Sequence, residues 1–63
     1  MKKFPEKTLL RNCRMKVVEA AAEMVNLDHQ YPNEANKVVI DVLRDIKENL
    51  ERRIATAQME EEI

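Results

Sequence analysis

The sequence contains no glycine, no serine and no tryptophan, and it has only one cysteine, one histidine and two aromatic residues in 63 positions. Without glycine there is no phosphate-cradling loop and no dinucleotide-binding fingerprint, and without serine there is no hydrolase nucleophile elbow. A single cysteine and a single histidine supply too few ligands for a structural zinc site. We therefore expect a protein that is not an enzyme and that holds no metal or cofactor.

Long apolar runs are also absent. The longest consist of three residues, as at 38–40, whereas a membrane-spanning helix needs about 20 apolar residues. The start MKKFPEK lacks the apolar segment that follows the basic residues of a secretory signal. A lone cysteine is also unusual in a secreted mini-protein. These observations predict a cytoplasmic protein without membrane contacts, in the host cytoplasm if the gene belongs to a phage.

What the sequence does contain is typical of helices, because Ala, Leu, Met, Glu, Lys and Arg dominate it and 37% of its residues are charged. In the first half, apolar residues recur in an alternation of three and four positions, which defines a helical seam. Pro5 suits a first helical turn, so we predict a helix over about 5–26. The seam residues are Leu10, Cys13, Val17, Ala20, Met24 and Leu27.

A second helix is predicted over about 33–59, with either Asn33 as its N-cap or Pro32 in its first turn. Its apolar residues again follow helical spacing, and Ala35, Val38 and Val42 widen the apolar face near its start. The seam residues of this helix are Val39, Leu43, Ile46, Leu50, Ile54 and Ala57.

The stretch between the helices, NLDHQYPNE, holds residue types that favour turns, and Pro32 disfavours the α conformation at the residue before it. We predict a turn over about 27–32. Asp28, His29 and Glu34 could in principle form a metal or acid–base set. A zinc site needs at least one further ligand, however, and no other candidate lies nearby in the sequence. A solvated turn is therefore the favoured interpretation.

A short connection between two helices usually gives antiparallel neighbours, so residues 1–63 are expected to form one all-α helical hairpin. One hairpin covers only one side of each seam. A single domain of this size is also hard to stabilise without a disulfide, a metal or oligomerisation. We therefore expect a homodimer in which two hairpins pair into a four-helix bundle.

Two single residues on these seams have alternative interpretations. Cys13 could be a reactive thiol, because Arg14 and Lys16 are near it in sequence, but its seam position favours packing. Arg53 lies at the edge of the second seam. Its stem could cover apolar neighbours, or its charge could belong to a polar layer that fixes the register, and the first interpretation is favoured.

Charge is distributed unevenly along the chain. Residues 1–18 carry six basic residues against Glu6 alone, whereas the C-terminus contains three consecutive glutamates, Glu60, Glu61 and Glu62. In an antiparallel hairpin these two ends meet, so the basic residues could pair with the acidic tail, which is the favoured interpretation. Alternatively they could bind phosphates. The basic stripe consists of Lys3, Lys7, Arg11 and Arg14.

A chain of this length with KKFPEKTLLRNCR near one end and ATAQMEEEI at the other resembles the short early proteins encoded between the exonuclease and excisionase genes of lambdoid phages. The resemblance implies an accessory regulator of phage development that acts by binding. The predicted architecture is also similar to the helical-hairpin dimer of the plasmid copy-number RNA-binding protein, which is an analogy of fold alone.

The expected function is accordingly that of a small interaction protein that binds a host or phage protein. The alternative is a dimer that binds nucleic acid through the basic stripe. Only two aromatic side chains could stack on bases, and Phe4 and Tyr31 lie at opposite ends of the first helix. The net charge of −1 also gives no general attraction to nucleic acid. Nucleic acid is therefore the less favoured partner.

Overall fold

The computed structural model describes residues 4–60, with side chains for residues 4–57, and this part of the chain contains two α-helices and no strand. Helix α1 spans Glu6–Gln30 and helix α2 spans Glu34–Glu60. The two helices pack against each other. The predicted all-α helical hairpin is confirmed.

Helix α1 continues past the predicted end, so the predicted turn begins only at Tyr31. Tyr31 has φ −135° and ψ 77°, which lies outside the α region that a following proline disfavours. Asn26 and Asp28 are poor helix formers, but the penalty is only a fraction of a kcal/mol for each. Asn26 also accepts a hydrogen bond of 3.2 Å from the side-chain nitrogen of Gln30, one turn later. Proline therefore ends α1, whereas Asn26 and Asp28 do not.

Residues 31–33 join the helices, and backbone and side-chain groups of this segment cap both helix ends. The backbone N–H of Tyr31 donates a 2.7 Å hydrogen bond to the carbonyl oxygen of Leu27. The side-chain oxygen of Asn33 accepts a 2.8 Å hydrogen bond from the backbone N–H of Ala35. This is the geometry of an N-cap, which satisfies one of the free N–H groups at the start of α2. The prediction of Asn33 as the cap is confirmed.

Asp28, in the last turn of α1, ties that turn to the start of α2. One of its carboxylate oxygens accepts hydrogen bonds from the backbone N–H of Asn33 at 3.2 Å and from the side-chain amide of Asn36 at 3.3 Å. The same amide of Asn36 donates to the carbonyl oxygen of Tyr31 at 3.1 Å. A carboxylate near the N-terminus of α2 is also favoured by the helix dipole. We call this group the Asp28 clamp.

The apolar core is small and lies toward the open end of the hairpin. It consists of Leu10, Leu50 and Ala57, with Val17 and Ile54 packed against it. The Cα trace measures 48 × 23 × 13 Å, so the hairpin is one helix thick. A single layer has no interior other than the line along which its two helices meet.

The Asp28 clamp generates a prediction about stability. Replacing Asp28 with Ala removes two hydrogen bonds to a carboxylate and should lower the free energy of unfolding by about 1–2 kcal/mol. His29 is exposed and adjacent, so His29→Ala is the matched control and should change it by less than about 0.5 kcal/mol. Urea unfolding followed by circular dichroism measures both, at one protein concentration. Equal effects of the two substitutions would contradict the clamp.

Candidate interaction surfaces

The predicted seam of α1 divides into two sets of residues in the folded hairpin. Leu10 is buried and Val17 and Met24 are half-buried, so these residues face α2. Cys13 and Ala20 are exposed, although they alternate with the first set along the helix. The expectation that Cys13 is packed away from solvent is therefore not met within a single chain. The line of contact on α1 covers only half of the predicted seam.

The seam of α2 divides in the same way. Its inward members are buried or half-buried, and they are Leu43, Leu50, Ile54 and Ala57. Val39 and Ile46 stay 41% and 40% exposed, and neighbouring Val42 stays 50% exposed. Each helix therefore carries apolar residues that its own hairpin leaves in contact with solvent.

The contact line of α1 contains polar residues that apolar periodicity does not detect. It runs through Leu10, Arg14, Val17, Ala21, Met24 and Asp28, with the same spacing of three and four as the predicted seam. Arg14 and Asp28 each have a polar partner on or next to α2, which explains why they fit beside apolar neighbours. A search for a seam that admits charged residues able to pair across the hairpin would have found this line.

Two cavities show which flanks of the helices lie side by side. One is lined by Ala22 and Val25 of α1 together with Lys47 of α2. The other, near the open end, joins Glu6 to Arg53. Successive residues of an α-helix are rotated by about 100° around its axis. By this rotation, the exposed seam residues lie on the same side of the hairpin as the second cavity. This side, which we call the apolar face, contains Leu9, Cys13, Ala20, Leu27, Val39, Val42 and Ile46.

Charged residues lie at the edges of the apolar face. Its flank on α1 carries Lys16 and Glu23, each one turn from Ala20. Glu6 and Arg53 border the face, and both line the cavity at the open end of the hairpin. The side chain of Arg53 is exposed. The central part of the face, from Ala20 to Ile46, presents uncharged side chains. A surface of this composition, continuous over two helices, is characteristic of one that is covered in a larger assembly.

The opposite side of the hairpin carries a groove of about 380 Å³, which we call the basic groove. Its floor is formed by Ala21, Ala22, Val25, Ile40 and Leu43, and its margin on α2 by Arg44, Lys47 and Glu48. A neighbouring depression continues along α1 and is lined by Arg11, Arg14, Met15 and Val18.

Basic residues outnumber acidic ones by four to three around the groove and the neighbouring depression. The basic residues are Arg11, Arg14, Arg44 and Lys47, and the acidic residues beside them are Asp41, Glu48 and Glu51. A side-chain oxygen of Glu51 lies 3.2 Å from the guanidinium of Arg14 and 3.2 Å from the ammonium group of Lys47. Arg44 has a looser contact of 3.7 Å with Asp41, one turn away. Arg11 forms no ion pair with a residue in the described part of the chain. The groove and the depression together therefore have an apolar floor and a margin with a small positive surplus.

The structure describes three residues of the basic stripe, Lys7, Arg11 and Arg14. Arg14 pairs with Glu51 in the middle of α2, and Lys7 is half-buried on α1. Lys3, Glu61 and Glu62, and the side chain of Glu60, lie outside the described part, so the predicted pairing with the acidic tail stays a prediction. Glu51 was not foreseen as a partner of the stripe.

Asp28, His29 and Glu34 do not form one site in the structure, because the carboxylate of Asp28 accepts the hydrogen bonds of the Asp28 clamp. Among residues 4–57, no group of three or more His, Cys, Asp or Glu side chains is arranged to hold a metal ion. Within residues 4–60, neither helix has a stretch that is both long enough and apolar enough to cross a membrane.

Comparisons with known protein families, with curated proteins and with solved structures find no match for this chain.

The pairing of Arg14 with Glu51 generates a prediction about the basic stripe. Neutralising Lys3, Lys7, Arg11 and Arg14 to Gln should change the free energy of unfolding by less than about 1 kcal/mol, because the ion pair is exposed to solvent. We expect no salt-sensitive, sub-micromolar binding of duplex DNA or RNA by either form in a gel-shift assay. Phosphate contacts would instead lower the log–log salt slope by about one unit for each contact removed.

A control for this assay replaces the same number of basic residues elsewhere. Lys16, Lys37, Arg52 and Arg53 are exposed, and their replacement by Gln gives the same net charge. Tight binding by the natural protein that the stripe variant loses and the control variant keeps would make nucleic acid the partner.

Proposed function

We propose that this protein is a small non-enzymatic interaction protein that forms a homodimer through the apolar face and acts by binding another protein. The observation that carries the proposal is the continuous apolar face, which extends over both helices and carries Val42 at 50% and Leu27 at 43% exposure. An isolated exposed leucine or valine is common on protein surfaces, but a contiguous set of them marks an interaction site.

The free energy available from covering this face is large relative to the stability of so small a chain. Full burial of a large apolar side chain contributes about 1.5–3 kcal/mol, whereas domains of about 60 residues are marginally stable on their own. The exposed large hydrophobic residues on this face are Leu9, Leu27, Val39, Val42 and Ile46.

A second copy of the chain is the occupant that fits this face best. In a two-fold dimer the same patch meets itself, so the patch must tolerate its own charges. The central apolar face satisfies this requirement, whereas two basic grooves would repel each other. Two one-helix-thick hairpins stacked on this face give a four-helix bundle with an interior. A standard interface buries about 800 Å² per partner, a small share of the chain's accessible surface of 5353 Å².

The dimer then acts by binding rather than by catalysis, in keeping with a sequence that lacks both glycine and serine. From the resemblance to phage early proteins we propose that the partner is a host or phage protein and that the role is that of an accessory regulator. Nucleic acid bound by the basic stripe is the alternative, and the pairing of Arg14 with Glu51 reduces the charge that this stripe offers.

The dimer generates a prediction with a matched pair of substitutions. Ile46→Asp places a charge at the centre of the apolar face and should give single chains in sedimentation equilibrium. Val25→Asp makes the same kind of change on the opposite side and should leave the dimer intact. The melting temperature of the natural protein and of Val25→Asp should rise with protein concentration, and that of Ile46→Asp should not.

A natural protein that sediments as one chain at high micromolar concentration would refute the dimer. If both variants dissociate alike, the interface is not confined to the apolar face. Circular dichroism of each variant shows whether it keeps its helices, so that unfolding is not mistaken for dissociation.

Cys13 provides an independent prediction, because it is exposed in the hairpin and lies on the apolar face. Dimerisation should cover it, so its rate of alkylation by iodoacetamide should fall severalfold between low and high micromolar protein concentration. The control carries Cys13→Ala with Ala22→Cys, which moves the thiol into the basic groove, and its rate should not depend on concentration. A concentration-independent rate at Cys13 would contradict the proposed interface.

A further inference from the structure

The basic groove differs from the apolar face in shape and in charge. Its floor is made of small side chains, Ala21 and Ala22, between the larger side chains of Val25, Ile40 and Leu43. Small residues between two larger ridges let a third helix approach closely, as in the packing of helices into grooves. The groove is therefore shaped to accept a helix.

The charged residues along the margin of the groove favour a bound helix of opposite charge. Arg44 and Lys47 border the groove on α2, and Arg14 follows along α1. The carboxylate of Glu51 is shared between Arg14 and Lys47, and Arg11 has no ion pair with a described residue. A positive surplus therefore remains, although Glu48 also lines the groove. Acidic side chains on the flanks of an incoming helix would meet this surplus, and basic ones would be repelled.

Other occupants fit less well. A second copy would bring two positively charged margins together, which is unfavourable in an interface that repeats the same patch. A β-strand peptide would need an open sheet edge, and the described chain contains only helices. A polyproline peptide would need aromatic side chains, and none of the described residues that line this groove is aromatic. A flat anionic lipid surface would meet a concave site whose rim includes the carboxylates of Glu48 and Glu51.

We infer that the basic groove binds an amphipathic helix of another protein, with an apolar stripe against Ala22, Val25 and Leu43 and with acidic residues toward Arg44 and Arg14. This inference deepens the proposed function and rests on its premise that the protein acts by binding a protein. It does not require the dimer, because the groove and the apolar face lie on opposite sides of the hairpin.

The test uses a synthetic helical peptide of about 15 residues, about 22 Å long, with leucines at positions i, i+3, i+4 and i+7 and glutamates on both flanks. The control peptide has lysines in place of the glutamates. Fluorescence anisotropy should show saturable binding of the acidic peptide, one per chain, at least tenfold tighter than the control. The amide resonances of Ala22, Val25 and Leu43 should shift, and those of Val42 and Ile46 should not.

Charge-reversal variants test whether Arg44 contributes to binding of the acidic peptide. Arg44→Glu should weaken binding of the acidic peptide at least tenfold and narrow or invert the preference over the lysine peptide. Lys16 is an exposed cation on α1 that does not line the groove, so Lys16→Glu makes the same charge change and should have little effect. Val25→Asp should abolish binding by placing a carboxylate on the apolar floor.

Equal binding of the two peptides, shifts centred on Val42 and Ile46, or no binding up to millimolar peptide would each overturn the inference. So would saturable binding to vesicles of phosphatidylcholine and phosphatidylglycerol that Arg44→Glu removes while the acidic peptide stays unbound. Sedimentation of the same samples tests the dimer separately. Peptide binding to a single chain would reject the dimer alone, and a dimer that ignores the peptide would reject the groove alone.

Discussion

The thickness of one helix is the constraint on which the other features of this molecule depend. Two helices in a single layer meet along one line, and only residues on that line are removed from water by the chain itself. The buried side chains are accordingly Leu10, Leu50 and Ala57, and none of the described large hydrophobic residues is completely enclosed. Apolar residues on either side of the line remain available to other molecules.

The two sides left by this constraint differ in charge. On the apolar face, charged residues lie at the edges, whereas the basic groove and the neighbouring depression have basic residues such as Arg14, Arg44 and Lys47 close to their apolar floor and fewer carboxylates beside them. Apolar area alone does not select a partner, because hydrophobic attraction has no direction. Charge does distinguish between partners, because like charges that meet across an interface make binding less favourable. In our proposal, the distribution of arginine and lysine is what gives different partners to surfaces of comparable hydrophobicity.

The sequence predicts the hairpin well because its strongest signals are local. Apolar spacing, the two prolines and Asn33 are sufficient for two helices and one connection. The end of α1 was predicted too early because Asn26 and Asp28 were weighed as turn residues, although Pro32 is the residue that stops the helix. The contact line was harder to predict. Periodicity in apolar residues cannot separate the half of a seam that meets the other helix from the half that does not, and it overlooks Arg14 and Asp28, whose place depends on partners distant in sequence.

The positions of the Asp28 clamp and of the apolar core have a consequence for how the hairpin forms. The clamp joins residues only eight positions apart, beside the connection, so the entropy lost in closing it is small. Leu10 and Leu50 meet at the open end, where a much longer segment of chain must be closed. If contacts form from the connection outward, each new contact shortens the segment of chain that the next contact must close. In the order of folding with the smallest loss of loop-closure entropy at each step, the hydrogen bonds of the clamp therefore form first, and the contact between Leu10 and Leu50 forms last.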